Sequence, residues 1–151
     1  WDFFMPMKKP SFDVIFMELA QNLALRSHCT RAQVGCVLTK DTRIISIGYN
    51  GPPAGTHNCD DEFGEDGCPR DSKGSCSLAL HAEQNAITDC AKRGVSSDGC
   101  DAYITHYPCV NCMKILCAAG ITNIFYVNDY NNDPLVEYFQ SISNIQQITK
   151  L

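Results

Sequence analysis

The 151-residue chain has no run approaching the ~20 consecutive apolar residues that a membrane-spanning helix needs. It also lacks the succession of positive charge, apolar stretch and small residues that marks a secretory signal. Basic residues are in short supply: 12 Lys and Arg stand against 17 Asp and Glu, for a formal charge of −5. No stripe of positive charge is offered to a polyanion, so the overall field disfavours a nucleic acid, whereas a small phosphorylated ligand needs only one local cationic pocket. Internal repeats and low-complexity tracts are missing too. These absences lead us to expect a soluble, intracellular protein whose partners are neither membranes nor nucleic acids. The 44% hydrophobic content suffices for one core, so a single domain spanning 1–151 is expected.

What the chain has in abundance is cysteine, ten in all. In a secreted miniprotein that count would indicate a disulfide framework. Here, with an ample core and no export signal, thiols at short spacings fit metal binding better.

Hydrophobic periodicity sketches an α/β pattern. Ser11 is placed to cap a helix running to about Arg26, on an apolar stripe that includes Phe12, Ile15, Phe16, Leu19 and Leu23. Val34–Thr39 and Ile44–Tyr49 are β-branched runs separated by four turn residues and read as a hairpin. From Asn50 to Ser77 the composition shifts to Gly, Pro, Asp and Cys, a loop long enough to be functional. His81–Arg93 reads as a helix stopped by Gly94, Ala102–Thr105 as a strand, and a second inner helix begins near Pro108 and ends at Gly120. Ile124–Val127 predicts a strand, Leu135–Ser141 a last helix and Ile145–Thr149 a last strand, completing a mixed sheet.

Within that pattern, His81-Ala82-Glu83 and Pro108-Cys109-Val110-Asn111-Cys112 carry the chemistry. Zinc accepts histidine nitrogen and cysteine thiolate, and a catalytic site uses three protein ligands with a fourth position open. His81, Cys109 and Cys112 supply that set. The two cysteines stand three apart at a helix start, where free amides and the positive end of the dipole favour thiolate over thiol. Glu83, two residues after His81, is within reach of the open position without being needed as a ligand, and is assigned proton transfer. Each half alone is a weak signal. Joined, H-x-E and P-C-x-x-C form the signature of zinc-dependent base and nucleotide deaminases.

Further segments narrow the resemblance. His81-Ala82-Glu83-Gln84-Asn85-Ala86-Ile87, Thr105-His106-Tyr107-Pro108-Cys109 and Gly48-Tyr49-Asn50-Gly51, extended by Thr30-Arg31-Ala32-Gln33-Val34-Gly35 and Asp129-Tyr130, together resemble the deoxycytidylate deaminase family. The resemblance implies a cytidine-deaminase-like three-layer α/β/α fold with a mixed sheet of about five strands. It also implies hydrolysis of dCMP to dUMP for thymidylate synthesis, in the cytoplasm of a bacterium or of a virus-infected host. A homohexamer, activation by dCTP, inhibition by dTTP and Mg2+ accompanying the triphosphate belong to the same expectation. By this similarity Arg31 and Tyr130 hold the substrate phosphate, Ala82 contacts the substrate, and Asn50 and Gly51 serve the effector or the sugar. Asn131 follows Tyr130 where some members carry arginine.

Cys29, Cys59, Cys68 and Cys76 fall outside the catalytic pattern. Four thiolates make a closed tetrahedral site that would tie the long loop to the end of the first helix, an arrangement that relatives resemble, with His57 an alternative for one thiolate. Ordinary thiols are the other reading of these four. Cys36, Cys90, Cys100 and Cys117 are assigned to packing, His28 and His106 to structural or solvent-facing roles, and the acidic residues between Asp60 and Asp66 to a solvated face. The competing activities are deamination of dCTP or a modified dCMP, editing of a nucleic acid, and a zinc module without chemistry. Acidity disfavours the second, and Glu83 argues against the third.

Overall fold

The computed structural model describes residues 8–27, 32–56, 72 and 77–148. Helix α1 spans Phe12–Ala24, and the Ser11 hydroxyl caps it by accepting the Val14 N–H at 3.3 Å. Strands β1 (Gly35–Lys40) and β2 (Arg43–Tyr49) form the hairpin, turned by Asp41 and Thr42, both at positive φ as a tight two-residue connection requires. Helix α2 (Ala82–Arg93) stops at Gly94, which adopts the left-handed conformation at φ 68°. Then follow β3 (Asp101–His106), α3 (Val110–Ala118), β4 (Asn123–Asn128), α4 (Pro134–Tyr138) running into a 3-10 turn (Phe139–Ser141), and β5 (Asn144–Gln147).

The five strands make one mixed sheet in the order β2-β1-β3-β4-β5. β1 pairs antiparallel with β2 and β3, while β3, β4 and β5 run parallel, which obliges the chain to cross over through α3 and then α4. Side chains alternate across the pleat. Val37 and Tyr103 face α1, where Phe16, Met17 and Ala20 are buried. Cys36, Leu38, Ala102, Ile104, Ile124 and Tyr126 face the opposite way, against Ala82, Ala86 and Cys90 of α2, Met113 and Leu116 of α3, and Val136 of α4. The result is the three-layer α/β/α architecture. Among the described residues no helix is long and apolar enough to cross a membrane.

Helix α2 is fastened to β2 with little freedom. Buried Ser46 directs its hydroxyl at Ala86 O and Asp89 Oδ2, both at 2.8 Å, and Arg93 donates to Asp89 and to Ile45 O. Gly48 lies so close to α2 that a Cβ there would stand 2.2 Å from Ala82 O, and Gly35 approaches α1 in the same way, 1.9 Å from Ala20 O. A Gly48→Ala substitution therefore has to push α2 off the sheet. We expect it to cost about 2–3 kcal/mol and to lower the melting temperature by roughly 5–10 °C in a thermal unfolding scan, an overpacking penalty rather than a lost contact.

A candidate metal and catalytic site

Two helix starts meet at one end of the sheet. His81 is the N-cap of α2 and Cys109 the N-cap of α3, with Cys112 in the first turn of α3. His81 Nδ1 is 3.1 Å from Cys112 Sγ and 3.6 Å from Cys109 Sγ. A tetrahedral ion bound through nitrogen and sulfur at ~2.0–2.3 Å holds such atoms roughly 3.5 Å apart, so this donor set fits zinc. It is the one cluster of this kind among the described residues, and its ligand atoms all lie within 4.8 Å of one another. The backbone helps set it: His81 N–H donates to Gln84 Oε1 at 2.8 Å, and Cys112 N–H donates to Cys109 Sγ at 3.4 Å.

Electrostatics divide the two thiols. Cys109 is lowered to about 4, chiefly because the Cys112 side chain donates to it, with His81 and the Cys112 N–H adding to the effect against the cost of burial. Cys112 is pushed far up by being that donor, by burial and by the nearby Glu83 carboxyl. His81 is raised by its hydrogen bond to Cys109, partly offset by burial. A divalent cation that binds both sulfurs would displace the proton that Cys112 holds. Glu83 is 4% exposed, and that burial raises its pKa, opposed by its own backbone N–H and by His81.

A pocket opens in front of this cluster. Its walls are Ala32, Val34, Asn50, His81, Ala82, Glu83, His106, Tyr107, Cys109 and Tyr130. Buried Asn50 braces one wall: its Oδ1 accepts the Val34 N–H at 2.9 Å and its Nδ2 donates to Ala32 O. Asn85 of α2 holds the backbone on either side of Asn50, donating from Nδ2 to Tyr49 O at 2.8 Å and Gly51 O at 3.2 Å. Tyr107 packs edge-on against Tyr126, and half-exposed Tyr130 stands edge-on to His106 with ring centroids 5.9 Å apart.

The profile of the cytidine and deoxycytidylate deaminase zinc-binding region matches residues 10–128. The chain belongs to this deaminase family. ComE operon protein 2 of Bacillus subtilis is 42% identical over 131 residues, covering 87% of this chain and 67% of that protein. Deoxycytidylate deaminase of Schizosaccharomyces pombe is 39% identical over 132 residues, covering 83% of this chain but only 39% of its own length, so the chain spans about two fifths of that relative. Among solved structures, the cyanophage S-TIM5 dCMP deaminase in complex with dCMP and dUMP superposes with a TM-score of 0.77 at 30% identity, covering 94% of this chain and 100% of that one. The fold and the zinc-binding region are therefore those of this deaminase family.

In this deaminase the structure gathers His81, Ala82, Glu83, Asn50, Cys109 and Tyr130 around one pocket, with Cys112 completing the metal cluster behind it. Gly51 is set apart: it bridges to Leu80 and lines a neighbouring groove with Pro52, Pro53 and Asn85. Arg31, His57, Cys29, Cys59, Cys68 and Cys76 lie outside the described residues, as does His28. Cys36, Cys90 and Cys100 are buried, and Cys117 is partly so. Four pocket-wall residues, Ala32, Val34, His106 and Tyr107, have no site role in the sequence reading. Tyr107 has no signal beyond its place before Pro108, and His106, read there as structural or solvent-facing, is carried to the pocket wall by β3.

Proposed function

We propose that the chain hydrolyses dCMP to dUMP and ammonia, with zinc held by His81, Cys109 and Cys112. The observation that carries this reading is a buried carboxyl, Glu83, beside a three-ligand metal cluster at the wall of a pocket. When bound, zinc supplies a Lewis acid that makes water acidic enough to attack near neutrality. Glu83 takes one proton from the attacking water and delivers it to pyrimidine N3, then carries the second, from the new C4 hydroxyl, to the departing amine; burial raises its pKa, which favours the protonated form that gives the proton back. The pocket's narrow apolar wall at Ala32, Val34 and Ala82 suits a planar base. Support for the substrate comes from relatives named deoxycytidylate deaminase and from a structural relative solved with dCMP and dUMP.

The finer reading extends to thymidylate supply, activation by dCTP and inhibition by dTTP with Mg2+, a hexameric assembly, a cytoplasmic setting and a structural zinc on Cys29, Cys59, Cys68 and Cys76. Arg31 and Tyr130 are proposed to hold the phosphate, Ala82 to contact the base and Asn50 the sugar. Steady-state ammonia release with dCMP, dCTP, CMP and cytidine, with and without dCTP and dTTP as effectors, tests it. We expect dCMP to be turned over fastest and zinc to reach two per chain by elemental analysis. Faster release from cytidine would overturn the nucleotide assignment, and one zinc per chain would remove the loop site.

A further inference from the structure

We propose that His106 binds the substrate phosphate as a neutral hydrogen-bond donor through Nε2–H, and so helps the pocket prefer a nucleotide over a nucleoside. This rests on reading the pocket as a nucleotide site and names a contact that reading leaves open. Thr105 is 2% exposed, and its Oγ1 accepts the Gly35 N–H at 3.2 Å. A buried hydroxyl must also place its own hydrogen, and among the described residues the acceptor within reach is His106 Nδ1, at 2.8 Å. With Nδ1 accepting, the ring carries its proton on Nε2, the nitrogen that Thr105 leaves free. Burial lowers the His106 pKa below the ordinary imidazole value, which favours the neutral ring that the Thr105 hydrogen bond orients.

The position suits a phosphate. The base end of the pocket is defined by His81, Glu83 and Cys109, and His106 pairs edge-on with Tyr130, which is 49% exposed at the mouth. No Lys or Arg is among the described residues of the pocket wall, so on that part of the wall N–H and O–H donors are the groups that meet phosphate oxygens, beside the Arg31 proposed above. Two fixed points hold the ring: the Thr105 hydroxyl and the edge contact with Tyr130. The donor is thus oriented before the ligand arrives, which lowers the entropy lost on binding.

The test uses the zinc-loaded full chain with His106→Leu and His106→Gln. Glutamine can set an amide N–H near the place of Nε2, whereas leucine keeps bulk without a donor. We expect His106→Leu to raise KM for dCMP, and Ki for the product dUMP, by about tenfold or more with kcat changed by less than about threefold. Ki for deoxyuridine, which has no phosphate, should be unchanged, and His106→Gln should recover most of the loss. An unchanged KM in His106→Leu would overturn the proposal, as would equal weakening of dUMP and deoxyuridine or failure of glutamine to rescue a variant that melts like wild type. If the wild-type chain does not turn over dCMP at all, the proposed function fails first, which separates the two outcomes.

Discussion

Exchanging Glu83 for glutamine is expected to lower kcat for dCMP by at least about 10³-fold while the protein keeps its full complement of zinc. The two side chains have the same shape, so the 4%-exposed site accepts the amide without repacking. What is lost is the ability to hold a proton and return it. Because burial already disfavours the charged carboxylate, an uncharged amide there should leave the melting temperature unchanged or higher. Elemental analysis, a thermal scan and a single-turnover assay together decide the matter. Loss of zinc would make Glu83 a ligand, and retained turnover would remove it from proton transfer.

Removing one thiolate should act differently. Cys112→Ala is expected to cost one zinc per chain and to reduce turnover to the level of the chelated wild-type protein. Added zinc should restore the chelated wild type but not the variant. Alanine is a good helix former in the first turn of α3, and Cys112 is fully buried, so the fold survives with a small cavity. The informative control is Cys90→Ala, equally buried but on the packing side of α2. It should keep metal and activity and lose about 1 kcal/mol of stability in denaturant titration. If Cys90→Ala also lost zinc, the division between ligating and packing cysteines would be wrong.

Much of this was legible in the chain because local chemistry and tertiary need coincide. Ser11 and Gly94 mark helix ends through groups that act within one turn, and Ile44–Tyr49 was legible as a strand from its β-branched residues, although the positions it buries are Ser46 and Gly48. The metal cluster was legible because H-x-E and P-C-x-x-C put their ligands at two helix starts. The strand order was not, since nothing local to β3, β4 and β5 states that they run parallel and side by side. Asn50 illustrates the limit at one residue. Next to Gly51 it reads as a turn, yet its side chain is spent on Ala32 and Val34, partners 18 and 16 positions away, which only the folded chain brings near. Gly51, its neighbour, serves a different groove. His106 was set aside for a related reason: its value depends on the hydroxyl of Thr105 being buried and already engaged with β1.

The bare backbone contacts of Gly48 with α2 and Gly35 with α1 have an evolutionary consequence. Neither contact has a side-chain spacer that could be traded for a longer or shorter one, and at Gly48 this fixes the distance between the sheet and α2, the helix that carries His81 at its start. Diversification of substrate choice has to come from the movable upholstery around that rigid chassis. The segment at Ala32–Val34 and the ring pair of His106 and Tyr130 are such places, and a selection for altered base or sugar preference should accumulate its changes there while leaving both glycines untouched.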